Sequence, residues 1–325
     1  MANRLAGVPL GLLALSGRRG AILLAVGIFG GVVSPGLARA FSGLVTSNVL
    51  FMMTLVLLRV DVAGTLAHLR RPGRVATIVA FQLLVCPVLV WAVTVPLGLD
   101  PGLTAGLVIF ATGCAATSSA AFARMVGLDP ELALVTSLAT TFIVPLTAPP
   151  IALLLLGIDL SISTGAFMAR LVVGVPLLVS VALRRLLGPA RLERWGEAID
   201  GLLVWLVLFY GFGVMDGLAA RAAADPHWVW QAVLAAFVAD YGLNLVTAGA
   251  FAGFGRGVAA SAGLMSGNRN MALYLAVLPP TTDPRTALFF GLCQIPLFLS
   301  PFLLKPLYRR WLSAPSRPAG GRWRR

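Results

Sequence analysis

Apolar residues run in blocks along most of this chain, and polar and charged residues gather between the blocks. The blocks are roughly 17 to 25 residues long, the length a helix needs to cross the hydrocarbon of a bilayer. The pattern predicts spans at Ala21–Ala38, Leu44–Leu58, Val75–Leu97, Leu103–Met125, Leu132–Leu156, Phe167–Leu187, Ile199–Leu218, Trp228–Phe254, Val258–Leu278 and Thr286–Leu307. The fourth and ninth are interrupted by small and polar residues, and each is followed by an Asp-Pro pair, Asp129-Pro130 and Asp283-Pro284. Each is also the fourth span of a five-span half. Five is odd, so the halves insert with opposite orientation. Interrupted segments in corresponding positions point to an inverted-repeat transporter with its site at the breaks. The expected fold is therefore an all-α integral membrane protein. It has ten transmembrane helices in two inverted five-helix repeats, about 20–156 and 167–308, within a transmembrane domain over 20–310.

Composition sharpens this picture. The 325 residues are 58% hydrophobic and 11% charged, whereas soluble domains carry about 25% charged residues. The net charge of +13 would suggest nucleic acid in a soluble protein, but its distribution excludes that reading here. Basic residues of membrane proteins collect in cytoplasmic loops. About twenty Lys and Arg fall on one side of the predicted spans against four on the other. That bias places both termini in the cytoplasm of a multi-pass protein of the cell (inner) membrane. The basic tail, 311–325, then meets anionic lipid headgroups. The short apolar stretch Leu5–Ser16, within 1–19, has the length of a signal-peptide core. Arg18 and Arg19 follow it without a small-residue cleavage site, so it reads as an interfacial segment.

Candidate chemistry lies in the interrupted spans. Ala111 to Ala120 is a run of small and hydroxyl residues containing Thr117, Ser118 and Ser119. Two readings stand: close helix packing, or an unwound stretch whose freed carbonyls hold ions or polar substrate groups. The ninth span carries Asn268, Arg269 and Asn270. A charge at the centre of a span costs about 2.5–3.5 kcal/mol even on the lenient insertion scale, so it marks a functional candidate by default. A structural ion pair or a snorkelling side chain is the alternative. Asp240, the one acidic residue in an apolar core, either pairs with Arg269 or takes up protons. Gln82 lies five residues before Pro87, and its amide could coordinate a cation. Asn48 and Asn244 could line the same cavity or make interhelical hydrogen bonds. Gly27/Gly31 and Gly249/Gly253 have the GxxxG spacing of packing devices. Cys86, Cys114 and Cys293 read as small buried hydrophobes, with no metal-site or disulfide spacing. No phosphate loop, zinc motif or nucleophile elbow is present, so an enzyme is not expected and no cofactor is implied.

Together these residues resemble the bile acid:sodium symporter family. The resemblance rests on Leu57-Leu58-Arg59-Val60-Asp61, Arg70-Arg71-Pro72-Gly73-Arg74 and the Gln82–Pro87 spacing. It continues through Gly113-Cys114, Thr117-Ser118-Ser119, Thr136-Ser137, Thr140-Thr141 and Pro145, and then Gly267 and Asn270. It implies crossed, discontinuous fourth and ninth helices in a core that rocks against a panel. Three departures stand out. Met265 replaces the Glu of sodium-coupled members, Arg269 a Gln four residues later, and Ala120 an Asn. The first sodium site is dismantled by this reading, and the second faces a guanidinium. Arg269 is charged at any physiological pH and could occupy a sodium ion's place. The resemblance thus implies a secondary active or facilitative transporter of a small organic anion, with sodium coupling in doubt. Alternatives are an arsenite-type metalloid efflux carrier, suggested by Cys114, and a non-transporting membrane sensor or scaffold.

Overall fold

The computed structural model describes residues 20–58, 72–116, 118–158, 174–271, 274 and 283–313. Among these the chain is helical, and its one extended pairing is a single bridge between Ala115 and Arg269. The helices are α1 (Gly20–Val33), α2 (Pro35–Ser42), α3 (Val45–Leu58), α4 (Pro72–Ala80), α5 (Cys86–Thr94), α6 (Pro101–Thr112), α7 (Ser119–Val126) and α8 (Pro130–Leu156). They continue as α9 (Gly174–Leu187), α10 (Pro189–Arg194), α11 (Gly196–Val214), α12 (Leu218–Ala224), α13 (Pro226–Ala250), α14 (Arg256–Gly267), α15 (Pro284–Leu292) and α16 (Gln294–Ser313).

Among the described residues, five stretches are long and apolar enough to cross a membrane: Pro72–Thr94, Pro130–Leu156, Gly196–Gly213, Pro226–Ala250 and Leu288–Ser313. A pair bent by 73°, Pro35–Ser42 and Ser47–Leu58, makes a sixth candidate. Their outward faces carry exposed apolar side chains such as Val93, Leu146, Leu154, Trp230, Val238 and Phe302, as lipid contact requires. The chain is an all-helical, multi-pass membrane protein. The segment 1–19, the tail from 314 onward, the first part of the expected sixth span and most of the second half of the ninth lie outside the described residues.

Asp-Pro pairs start four of the helices. Asp100, Asp129, Asp225 and Asp283 each accept a backbone N–H of the first turn, from Leu103, Leu132, Trp228 and Arg285. Proline follows each, where its missing N–H costs nothing. Three of these caps converge on one end of the molecule. Arg285 pairs with Asp100 at 2.7 Å and with Asp225 at 3.2 Å, and its guanidinium lies 5.6 Å from the Trp228 ring centre. Burial pushes the Asp100 carboxyl up. Hydrogen bonds from the Trp228 indole and the Leu103 N–H, with the charge of Arg285, outweigh that and hold it below the usual carboxylate range.

The helices sort into two groups. In one, α11 packs against α1, α2 and α3, and α9 lies along α3. Gly27 and Gly31 allow this close approach, because a Cβ at Gly27 would sit 2.9 Å from the Leu208 carbonyl. In the other, α13 packs on α14, α5 and α15 on α6, and α7 on α8 and α16. Its interior holds Phe110, Phe122, Phe289, Phe290, Ile78 and Leu83, all essentially inaccessible. Helices α13 and α14 meet through Gly263, where a Cβ would fall 2.6 Å from the Asn244 carbonyl. Gly249 and Gly253 face open space instead, so their expected packing role is not met, while Gly263 and Gly267 carry that spacing.

Two expected continuous spans are broken. The first divides at Ser34, which leaves the helical region (φ −120°, ψ 83°) before Pro35, because a following proline disfavours the α conformation. The third contains a π-helical turn, Phe81–Val85. Pro87 has no N–H to give and its ring crowds the preceding turn, and a π turn relieves the strain.

Candidate functional site

The fourth and ninth spans both unwind and cross. After α6 ends at Thr112, residues 113–116 are non-helical, and after α14 ends at Gly267 so are 268–270. The two stretches pair antiparallel. The Ala116 N–H donates to the Asn268 carbonyl at 2.8 Å, and the Asn270 N–H to the Cys114 carbonyl at 2.9 Å. Non-helical backbone at membrane depth survives only where protein satisfies it, and here it does. The Thr140 hydroxyl accepts the Ala115 N–H at 3.1 Å, and Ser137 donates to the Ala115 carbonyl at 3.0 Å. The fifth-span hydroxyls that the resemblance singled out therefore hold the first break open.

Arg269 occupies the crossing, about 1% exposed. Its guanidinium donates to three main-chain carbonyls: Nε to Ser266 at 2.7 Å, Nη1 to Gly113 at 2.6 Å and Nη2 to Gln82 at 3.1 Å. Each carbonyl is free for a local reason. Gly113 and Ser266 lie where α6 and α14 end, so they belong to the unpaired last turns, the negative ends of two helix dipoles. The Gln82 carbonyl is released by the π turn. The Cys86 N–H goes to Phe81, and the next residue, Pro87, has none. Three main-chain carbonyls, two from helix ends and one from a π turn, thus converge on one buried guanidinium.

Among the described residues no carboxylate lies within ion-pair distance of Arg269. Of the two readings of Asp240, the ion pair with Arg269 is not formed. Both Asp240 oxygens are buried without a hydrogen-bond partner, and the side chain lies against Gly267. The reason is geometric: the carbonyls of the breaks surround the guanidinium first. Asn268 is fully buried. Its Oδ1 accepts from the Ser300 hydroxyl at 3.0 Å, and its Nδ2 has no partner. The Gln82 amide and the Ser119 hydroxyl are likewise buried and unpartnered. Thr117 lies outside the described residues. Asn48 and Asn244 take the structural reading, bonding to the Leu206 carbonyl and the Tyr308 hydroxyl. Cys86, Cys114 and Cys293 are buried free thiols.

Beside the crossing is a cavity of about 30 Å³, room for a water or two, lined in part by Ser118, Asn270, Tyr210 and Gln294. The Tyr210 hydroxyl and the Gln294 Nε2 are both buried without a partner. Neither residue stood out in the sequence pattern, although Gln294, an amide inside an apolar block like Gln82, carried a usable signal.

The fold and the crossing define an all-helical membrane protein built around two unwound, mutually bonded helices. Residues 46–212 match the Sodium Bile acid symporter family, and the chain belongs to this family of symporter-type transporters. The match spans α3 to α11, including the first break and the Gln82–Pro87 turn. Among curated proteins none matches the chain.

Proposed function

We propose that this protein carries a small organic anion across the cell membrane, and that Arg269 takes the place of a coupling sodium ion. In this reading the chain makes ten spans in two inverted repeats, with both termini cytoplasmic. The α1–α3, α9, α11 group acts as a panel and the group holding the crossing as a core that rocks against it.

The observation that carries the proposal is the guanidinium held by the Ser266, Gly113 and Gln82 carbonyls at the crossing. A tethered cation there needs no sodium for assembly. It leaves a fixed positive charge close to the cavity that Tyr210 and Gln294 line. Their unused donors suit a carboxylate or similar anion, because a buried donor without an acceptor costs about 1–3 kcal/mol that an arriving anion recovers. Asn270 and Ser118 complete the polar wall, and the buried Gln82, Ser119 and Asn268 side chains are further polar groups of the proposed core. Asp240, buried outside the Arg269 shell, is the remaining group through which protons could couple.

The test is an anion screen by thermal stability of the purified protein, followed by flux into proteoliposomes. A ligand that binds only the folded state raises the apparent melting temperature. The expected result is saturable stabilisation by one class of organic anion, weakened about tenfold or more by Tyr210→Phe combined with Gln294→Leu. Stabilisation by no anion, or equal stabilisation of the double variant, would refute this reading.

A further inference from the structure

A second small cavity, about 20 Å³, lies on the same seam between the two helix groups. On the α3 and α11 side its walls are Val56 and Leu203. On the other they are Ala120, Ala121, Arg124 and Glu131. The cavity at the crossing is walled on one side by the same two helices further along, through Met52 of α3 and Tyr210 of α11, and on the other by Ala116 and Ser118 of the first break. Leu203 and Tyr210 are seven residues apart in α11, two helical turns or about 10 Å. The seam therefore runs from the crossing past Leu203, and one turn beyond it α11 presents Asp200. There the Arg124 Nη1 meets the Asp200 Oδ1 at 3.2 Å, with the side chains 39% and 31% exposed.

Three features make this pair more than a surface contact. It joins α7, which follows the first break, to α11 of the opposite group. It stands at the exposed end of a line of cavities too narrow for an organic anion, so the seam must part there for one to pass. And Arg124 has a second carboxylate, Glu131, bordering the same cavity from its own group.

We propose that Arg124 and Asp200 form a latch that holds the seam closed at this mouth. Arg124 exchanges Asp200 for Glu131 when the two groups separate. The proposal rests on the reading of the seam as a transport route. A half-exposed ion pair is worth little, which suits a bond that is broken in every cycle.

The test uses the full chain in nanodiscs with Ala121→Cys as a reporter, labelled by a polar maleimide. The native thiols are buried, so their background is low. Asp200→Asn should raise the labelling rate about two- to fivefold, the range an exposed pair supports. Glu131→Gln should lower it, because the open form loses its partner. In an Arg124→Gln background both acid substitutions should lose their effect. General loosening would raise labelling in both acid variants, and that outcome, or no change in either, overturns the latch. Labelling does not require flux. Opposite shifts in a protein that moves no anion would keep the latch and sink the transport reading.

Discussion

Replacing Arg269 by Gln, the residue that the resembling family carries, tests the crossing most sharply. The substitution removes three hydrogen bonds from a charged donor to the Ser266, Gly113 and Gln82 carbonyls. Bonds to a charged group are worth about 1.5–3 kcal/mol each, a gross loss of about 4–9 kcal/mol. Against this stands the cost of burying a guanidinium, several kcal/mol, which the variant no longer bears. The net expectation is a loss of about 3 kcal/mol. In potassium buffer the apparent melting temperature should fall by roughly 6–12 °C, at about 2–4 °C per kcal/mol for chains of somewhat smaller size. The vacated carbonyls then form a sodium cage. A site saturated hundredfold over its Kd contributes about 2.7 kcal/mol, so sodium should restore nearly the whole loss in the variant and do nothing for the parent. The assay is thermal unfolding of both proteins in detergent across a sodium titration at constant ionic strength. An Arg269→Gln protein as stable as the parent, or one with no sodium response, refutes the view of the guanidinium as a substitute cation.

Other outcomes follow from the same geometry. Gly263→Ala drives a methyl into the Asn244 carbonyl at the α13–α14 contact and should destabilise by about 1–3 kcal/mol. Gly249→Ala, into open space within a helix, should be neutral or stabilise by up to about 1 kcal/mol; the two melting curves compared side by side decide. Asp240→Asn replaces a buried carboxylate that has no partner by a neutral group of the same shape. It should raise apparent stability, and if Asp240 couples protons it should also remove the pH dependence of flux. The Asp100 carboxyl is held below its ordinary range. Its contribution is therefore present above the unfolded value and lost as pH falls through the folded one, below about pH 4. Asp100→Asn should flatten the acid limb of a melting-temperature profile, and an unchanged limb would remove Asp100 from the account.

Much of the architecture was legible because membranes read length and polarity. The apolar blocks located the helices, and Asp129-Pro130 and Asp283-Pro284 marked true N-caps. The small-residue run at 111–120 and the Asn-Arg-Asn of 268–270 marked true breaks. What stayed open was partner assignment. The sequence left Asp240 either pairing with Arg269 or taking up protons, because side chains are visible in a sequence and carbonyl ligands are not. Any residue can supply a carbonyl, and only helix ends and a π turn made those of Gly113, Ser266 and Gln82 available. Pro87 hinted at the π turn through its missing N–H, but not at the direction in which the freed carbonyl would point. The GxxxG spacing was correctly read at Gly27 and Gly31 and wrongly at Gly249 and Gly253. The spacing shows that a helix could be approached closely, not that another helix is there. Tyr210 was missed because its burial without a partner is a property of the assembled groups, whereas Gln294, an amide inside an apolar block, was a signal passed over.

The central claim, that a tethered guanidinium fills the cation position at the crossing, is tested most directly by equilibrium binding of radioactive sodium to the unmodified protein. The account predicts no saturable binding by the parent, with binding appearing in Arg269→Gln. Saturable sodium binding by the parent that persists unchanged in the variant would contradict it.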